Sequence, residues 1–162
     1  MNSWANVAIP PLDSRFVLPD LLLWDTARGG KQAVVKKNLY RIYVCGITPY
    51  DATHLGHAAT YLTFDLVNRY LRATGSQVRF VQNITDIDDP LLERANRDGV
   101  DWKDLAHQQI DLFRSDMENL RVIPPAHYIG AVDAIPLVVD AISDLTSLST
   151  VYQVDTDQYF SV

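Results

Sequence analysis

His54-Leu55-Gly56-His57 sets two imidazoles three positions apart around a glycine. Paired histidines opening a helix can both donate hydrogen bonds to phosphoryl oxygens. The helix N-terminus adds free N–H groups and partial positive charge. Gly56 removes a side chain where a nucleotide must pack closely. Two plainer readings stand beside this one: a pair of exposed turn histidines, and one half of a metal site, where the same spacing occurs.

Cys45-Gly46-Ile47-Thr48-Pro49-Tyr50 leads into the histidines, and Thr48 and Tyr50 add polar groups. Cys45 is the single cysteine, so no internal disulfide is possible. A lone cysteine reads most simply as a small buried hydrophobe. Its place just after a strand instead aims it into the cleft that the histidines face. The third segment is Asn83-Ile84-Thr85-Asp86-Ile87-Asp88-Asp89. Its aspartates fit either a metal site or helix capping ahead of Pro90, a favoured first helical residue, and capping is the better fit. Asn83 and Thr85 are then the ligand candidates.

These segments need elements to position them. Leu39 to Val44 is rich in β-formers and stops before Gly46, so it reads as a strand. Ala58 to Ala73 reads as a helix, with Thr60, Phe64, Val67 and Leu71 on one stripe and Gly75 as its stop. Val78 to Val81 is a second strand. Strand, helix and strand make a βαβ unit, hence parallel strands and a right-handed crossover. The loop at the carboxyl end of such a strand is where open α/β sheets bind ligands. Asp101 then caps a long amphipathic helix with stripe Trp102, Leu105, Ala106, Ile110, Phe113, Met117 and Leu120. Val132, Ile135, Val138, Val139, Ile142 and Leu145 suggest another helix, and residues 151–162 alternate as a hairpin.

The division expected is a leader over residues 1–38 that packs on the catalytic domain, then the domain over 39–162. The latter comprises a βαβ unit at 39–85, a helical region at 90–146 and a hairpin at 151–162. Leu21 to Trp24 is a possible short edge strand. The expected class is α/β, a Rossmann-like (HUP-type) parallel sheet. A doubly wound sheet has two βαβ halves and only one is legible, so the chain reads as truncated.

Bulk composition narrows the classes. Of 162 residues, 48% are hydrophobic and 21% charged, as a packed core requires. No apolar run approaches the ~20 residues of a membrane helix, and no signal peptide is visible. A cytoplasmic protein is expected. A net charge of −6 argues against general nucleic-acid binding.

The three segments together resemble a known family. Class I aminoacyl-tRNA synthetases carry His-x-Gly-His after their first strand. Cysteinyl-tRNA synthetases add Tyr-Val-Cys-Gly before it and Asn-Ile-Thr-Asp-Ile-Asp-Asp after it. This chain has Tyr43-Val44-Cys45-Gly46, His54 to His57, and Asn83 to Asp89. Synthetases usually read Cys-Gly-Pro-Thr-Val-Tyr, with an Arg soon after the histidines and a Lys after the paired aspartates. Ile47-Thr48-Pro49-Tyr50, Ala59 and Pro90 stand there instead. The run Cys45 to Tyr61, Trp24 to Ala27 and Phe113 to Leu120 resemble the cysteine:glucosaminyl-inositol ligases of mycothiol biosynthesis.

The resemblance implies ATP-dependent ligation of L-cysteine to the amine of glucosaminyl-inositol through a cysteinyl-adenylate. It implies catalytic roles for His54 and His57. It implies ATP and adenylate contacts from Cys45, Gly46, Ile47, Thr48, His54, Gly56, His57, Thr60, Asn83, Ile84 and Thr85. Mg²⁺ would accompany ATP. Cys45 would be one ligand of a Zn²⁺ that captures the substrate thiolate, its other ligands lying outside this chain. Small-molecule partners, no nucleic acid, no membrane and a monomeric full-length enzyme are expected. The alternatives are a cysteinyl-tRNA synthetase and a non-catalytic half-domain that binds nucleotide or a protein partner.

Overall fold

The computed structural model describes residues 1–161. Three parallel strands form its centre: β3 (Leu39–Val44), β4 (Gln77–Ile84) and β5 (His127–Gly130), ordered β3-β4-β5. They run in register from Leu39 opposite Gln77 to Ile84 opposite Gly130. Two short antiparallel hairpins flank this sheet in sequence: β1 (Leu22–Asp25) with β2 (Gly30–Ala33), and β6 (Val151–Val154) with β7 (Asp157–Phe160). Val162, the last residue of the expected C-terminal hairpin, lies outside the described residues.

β5 corrects the reading of residues 90–146 as wholly helical. It makes a second parallel crossover, through α2 (Asp89–Asp98) and α3 (Trp102–Asn119), where one βαβ unit was expected. His127 therefore sits in a strand. The first crossover, α1 (Leu55–Ala73), starts three positions ahead of the expected Ala58 because His54 caps it.

The α1 stripe is also shifted. Its buried residues are Tyr61, Asp65, Asn68 and Leu71, while Phe64 is 40% exposed. Two polar side chains lie inside, Asp65 with both oxygens bonded and Asn68 bonded through Oδ1 alone, its Nδ2 having no partner among the described residues. Asp65 accepts the Ile123 N–H at 2.9 Å and pairs with Arg69 at 2.6 Å; Asn68 Oδ1 accepts from Arg72 at 2.8 Å.

The core lies on one side of the sheet. Val44, Phe80, Ile84 and Tyr128 point there from the strands and meet Tyr61 of α1 and Ile110, Phe113 and Met117 of α3. Complete burial of a residue such as Phe113 contributes roughly 1.5–3 kcal/mol. Trp4 joins from the leader: its Nε1–H donates to Val122 O at 2.7 Å and its ring meets Phe113 edge-on at 5.9 Å. α2 closes a smaller cluster, Leu91 and Ala95 against Leu105 and Ala106.

α4 (Ala131–Ser147) follows β5 and buries none of its residues. Among the described residues, no helix is long and apolar enough to cross a membrane.

Candidate functional site

The site hangs from the carboxyl ends of β3 and β4 and the first turn of α1. β3 ends at buried Val44, and the chain then passes directly beside β4. A methyl group at Gly46 would lie 1.6 Å from Asn83 O, so only glycine fits. That approach lets the Gly46 N–H donate to Asn83 Oδ1 at 2.8 Å, an atom that also accepts from the Tyr43 hydroxyl at 3.0 Å. The Thr85 N–H donates to Ile47 O at 2.9 Å, and Asn83 Nδ2 lies 3.4 Å from Thr85 Oγ1. Gly46, Ile47, Asn83 and Thr85 thus lock together. Cys45 stays exposed, with its carbonyl accepting from Tyr61 of α1 at 3.3 Å. Burial pushes the Tyr61 hydroxyl well above the ordinary tyrosine range, so it remains a donor.

The histidines do two jobs. His54 is the N-cap of α1, and its Nδ1 accepts the Gly56 N–H at 3.1 Å. His57 reciprocates: its Nδ1 accepts the His54 N–H at 3.2 Å. This is a capping box built from imidazoles. The rings stack at 4.0 Å. An Nδ1 that accepts carries no proton, so the bonding pattern assigns the proton of each neutral ring to Nε2. Two Nε2–H donors are left for a ligand. Burial first, then the neighbouring His54, holds the His57 imidazole below its usual 6.5.

Two sequence expectations change here. The cap takes up the Gly56 N–H, so the imidazoles are better placed phosphate donors than that backbone group. Gly56 itself answers to the cap: a methyl group there would lie 2.8 Å from the His54 ring.

Other residues fall less centrally. The Ile47 and Ile84 side chains belong to the core, at 3% and 0% exposure, which leaves only their backbone for ligand contact. The Thr60 hydroxyl donates back to Gly56 O at 3.1 Å. Thr48 reaches Asp88 at 3.5 Å. The aspartates are structural. Asp88 caps α2. Asp86 is 9% exposed and its Oδ1 accepts the Val132 N–H of α4 at 2.9 Å. The roles of Tyr43 and Tyr61, and the choice of α4 as the helix that Asp86 caps, are not legible in the sequence because each acts on a partner remote along the chain.

Among the described residues, no group of three or more His, Cys, Asp and Glu is placed to hold a metal ion. A catalytic zinc takes about three protein ligands. Cys45 supplies one, and the Nδ1 atoms of His54 and His57 are engaged. The residues present do not make a zinc site. A hollow of about 500 Å³ beside His54 is lined by Thr53, His54, Ala58 and, from the end of α3, Asp116 and Met117; His57 does not line it. A larger one, about 1030 Å³, lies by Gly75 to Val78 at the opposite end of the strands; Asp13, Arg69 and Arg72 line it, and none of the candidate site residues does.

Known proteins place the chain. Residues 31–162 match the family model of the tRNA synthetases class I (C) catalytic domain. The L-cysteine:1D-myo-inositol 2-amino-2-deoxy-alpha-D-glucopyranoside ligase of Parafrankia sp. (strain EAN1pec) is 56% identical over 162 residues, which are 100% of this chain and 36% of that protein. The corresponding ligase 2 of Corynebacterium jeikeium is 56% identical over 98% of this chain and 38% of its own length. The Streptomyces coelicolor ligase is 54% identical over 100% and 39%. The chain thus spans under half the length of these relatives. Among solved structures, Mycobacterium tuberculosis methionyl-tRNA synthetase in complex with methionyl-adenylate matches with a TM-score of 0.64 and 24% identity, over 72% of this chain and 23% of that one. That likeness shows the α/β fold, and the family model together with the relatives shows that the chain belongs to the class I (C) tRNA synthetase catalytic-domain family.

Proposed function

We propose that this chain supplies the nucleotide- and cysteine-handling part of an ATP-dependent L-cysteine ligase whose acceptor is the amine of glucosaminyl-inositol. The observation that carries the proposal is the stacked His54–His57 pair, with both Nδ1 atoms tied to backbone and both Nε2–H groups free. The ligases named above, at 54–56% identity, supply the reaction class.

A carboxylate oxygen of cysteine attacks the α-phosphorus of ATP, the bond to the β-phosphate oxygen breaks, and pyrophosphate leaves with that electron pair. The sugar amine then attacks the carbonyl carbon of the cysteinyl-adenylate. The carbon–oxygen bond breaks, AMP leaves, and the amine loses a proton. His54 and His57 stabilise negative charge that grows on the phosphoryl oxygens. As neutral donors fixed by the cap, they need no reorganisation during the step. The lock of Gly46, Asn83 and Thr85 fixes the strand ends against which the adenylate lies, and Thr48 and Thr60 line its edges. Mg²⁺ would accompany the triphosphate. A zinc ion at Cys45 would take its other donors from sequence outside these residues, and no step above depends on it. Ala59 and Pro90, both exposed, stand where the synthetase pattern carries basic residues, which suits a small acceptor rather than tRNA.

The test is a full-length chimera in which these 162 residues replace the matching stretch of the Parafrankia ligase. It is expected to exchange labelled pyrophosphate into ATP only with cysteine, and to join cysteine to glucosaminyl-inositol. Equal exchange with serine or valine would overturn the cysteine assignment. Transfer to tRNA in place of the sugar amine would overturn the acceptor. Elemental analysis with and without Cys45→Ser checks the zinc.

A further inference from the structure

The core holds polar atoms that apolar packing does not explain. Gln82 of β4 alternates with Phe80 and Ile84 and so faces the core, where it is 1% exposed. Neither its Oε1 nor its Nε2 has a hydrogen-bond partner among the described residues. Tyr128, its register partner on β5, is buried with its hydroxyl equally unpartnered. Unpaired buried polar atoms are costly and rare, and these three meet at the Tyr61 hydroxyl of α1. Burial first and then Cys45 raise the Tyr61 pKa, and the Gln82 amide beside it lowers it. Burial first and then Tyr61 raise that of Tyr128.

Tyr61 is the link to the site. Its hydroxyl donates to Cys45 O at 3.3 Å, while the N–H of the same peptide, that of Gly46, donates to Asn83 Oδ1 at 2.8 Å. The Cys45–Gly46 peptide is thus held at both ends, from α1 and from β4. A peptide is planar, so two such bonds fix its rotation. They thereby fix the direction in which the exposed Cys45 side chain leaves the chain. Having given its single proton to Cys45 O, the Tyr61 oxygen can only accept. An amide has a donor end and an acceptor end, and Gln82 is the residue placed to supply that donor.

We infer that Tyr128, Gln82 and Tyr61 form a directional relay, closed directly or through one internal water, that positions Cys45. The Tyr128 O–H donates to Gln82 Oε1, the Gln82 Nε2–H donates to the Tyr61 oxygen, and the Tyr61 O–H donates to Cys45 O. Every unpartnered atom named above then has a partner. The relay deepens the function proposed above and rests on it only for the substrate. Gln82 and Tyr61 are positioning residues for the cysteine subsite, acting through Cys45 and not on the reacting atoms.

The test uses the full-length chimera. Gln82→Met keeps the length of the side chain and removes both polar ends; Tyr61→Phe removes the bond to Cys45 O. Each is expected to raise KM for cysteine in pyrophosphate exchange by about ten-fold, near the upper worth of one hydrogen bond, with KM for ATP unchanged. The double variant should be no worse than either single one. Gln82→Glu separates the relay from packing. Its carboxylic acid form has a donor and an acceptor end, as the amide has, while its carboxylate has no donor. The charged and titratable groups around the two tyrosines are Cys45, Asp86 and Arg114, and burial favours the acid form. KM for cysteine in Gln82→Glu is therefore expected to match the parent chimera at the acid end of the assay range and to exceed it several-fold toward alkaline pH. A ratio that does not change with pH, or KM for ATP and cysteine rising together, overturns the positioning role. Stability reads the relay without any substrate. Tyr128→Phe and Gln82→Met should each lower Tm, and the pair should lower it by less than the sum. A rise in Tm in either single variant, as expected of a polar atom without partners, or strictly additive losses, overturns the relay itself. If the parent chimera does not use cysteine, the proposed function falls and the Tm cycle still decides the relay.

Discussion

One methyl group at Gly46 should break the site. It would sit 1.6 Å from Asn83 O and 2.6 Å from Asn83 C, and the obstacle is backbone, which cannot rotate away. Ordinary overpacking costs about 1–3 kcal/mol; Gly46→Ala is expected at or above the top of that range by urea unfolding. Gly30→Ala, whose added carbon meets only the end of the Gln32 side chain at 4.0 Å, is the control. His57 allows finer dissection because cap and donor are separable. His57→Ala removes both, and losing a donor to the transition state should slow adenylate formation in the chimera by about 3 kcal/mol. His57→Gln retains an N3 acceptor for the cap and so should recover stability but not rate. Stability should also depend on pH through this ring. Its folded pKa lies below 6.5, so the unfolded chain binds the proton more readily, and stability falls as pH drops below about 6.5. Urea midpoints measured at successive pH values should show this slope flattened in His57→Gln. A change confined to the Michaelis constant for cysteine in His57→Ala would contradict the role given to this residue.

Elements differ in how openly their sequences declare them. β3 ends where Gly46 predicts, and α3 begins at the Asp101 cap and buries Leu105, Ala106, Ile110, Phe113 and Met117 of its expected stripe, while Trp102 is half-buried and Leu120, past the helix end, is 40% exposed. Other elements were hidden for identifiable reasons. β5 is only His127-Tyr128-Ile129-Gly130, too short behind Pro124-Pro125 to show alternation, and it exists through pairing with β4. β2 is polar and is held by β1. The α1 stripe was misplaced by one position because Asp65 and Asn68 are buried, a choice that makes sense only with Ile123, Arg69 and Arg72 in place. The site shows the same division. The Cys45–His57 loop is legible because its residues are contiguous, the His54 cap is not, because histidine is an unusual capping residue, and the grip of Asp86 on α4 spans 46 positions. That grip yields an element-scale prediction. The N-cap Gly130 offers no side chain, so Asp86 caps α4 from another loop. Asp86→Ala should cost about 1 kcal/mol, the usual value of a lost cap, with faster amide hydrogen exchange concentrated in the first turn of α4. Uniform faster exchange across the whole chain would mean that Asp86 supports the core instead.

At the scale of the molecule, the exposed apolar surface decides what this chain does alone. α4 presents Leu137 at 71%, Val138 at 52% and Val139 at 54% exposure, and the β6–β7 hairpin adds Tyr152, Tyr159 and Phe160. The sheet leaves its second face open as well, and patches of this extent mark interfaces. The 162 residues by themselves are therefore expected to bind a hydrophobic dye and to sediment as concentration-dependent aggregates, while the chimera does neither. They are also expected to show no cysteine-dependent AMP release. In the function proposed above the histidine pair would supply donors to the phosphoryl oxygens, but Cys45 is a single exposed thiol. His54 opens onto a hollow rather than a closed chamber, so water is not excluded from a group held there. Weak ATP binding should persist, because the cap that orients His54 and His57 is built wholly from residues 54–57. Isothermal titration with ATP and an AMP-release assay separate the two functions. Binding without turnover is the expected pair of results. Robust cysteine-dependent release from a soluble monomer would show that the open faces are compatible with a finished enzyme.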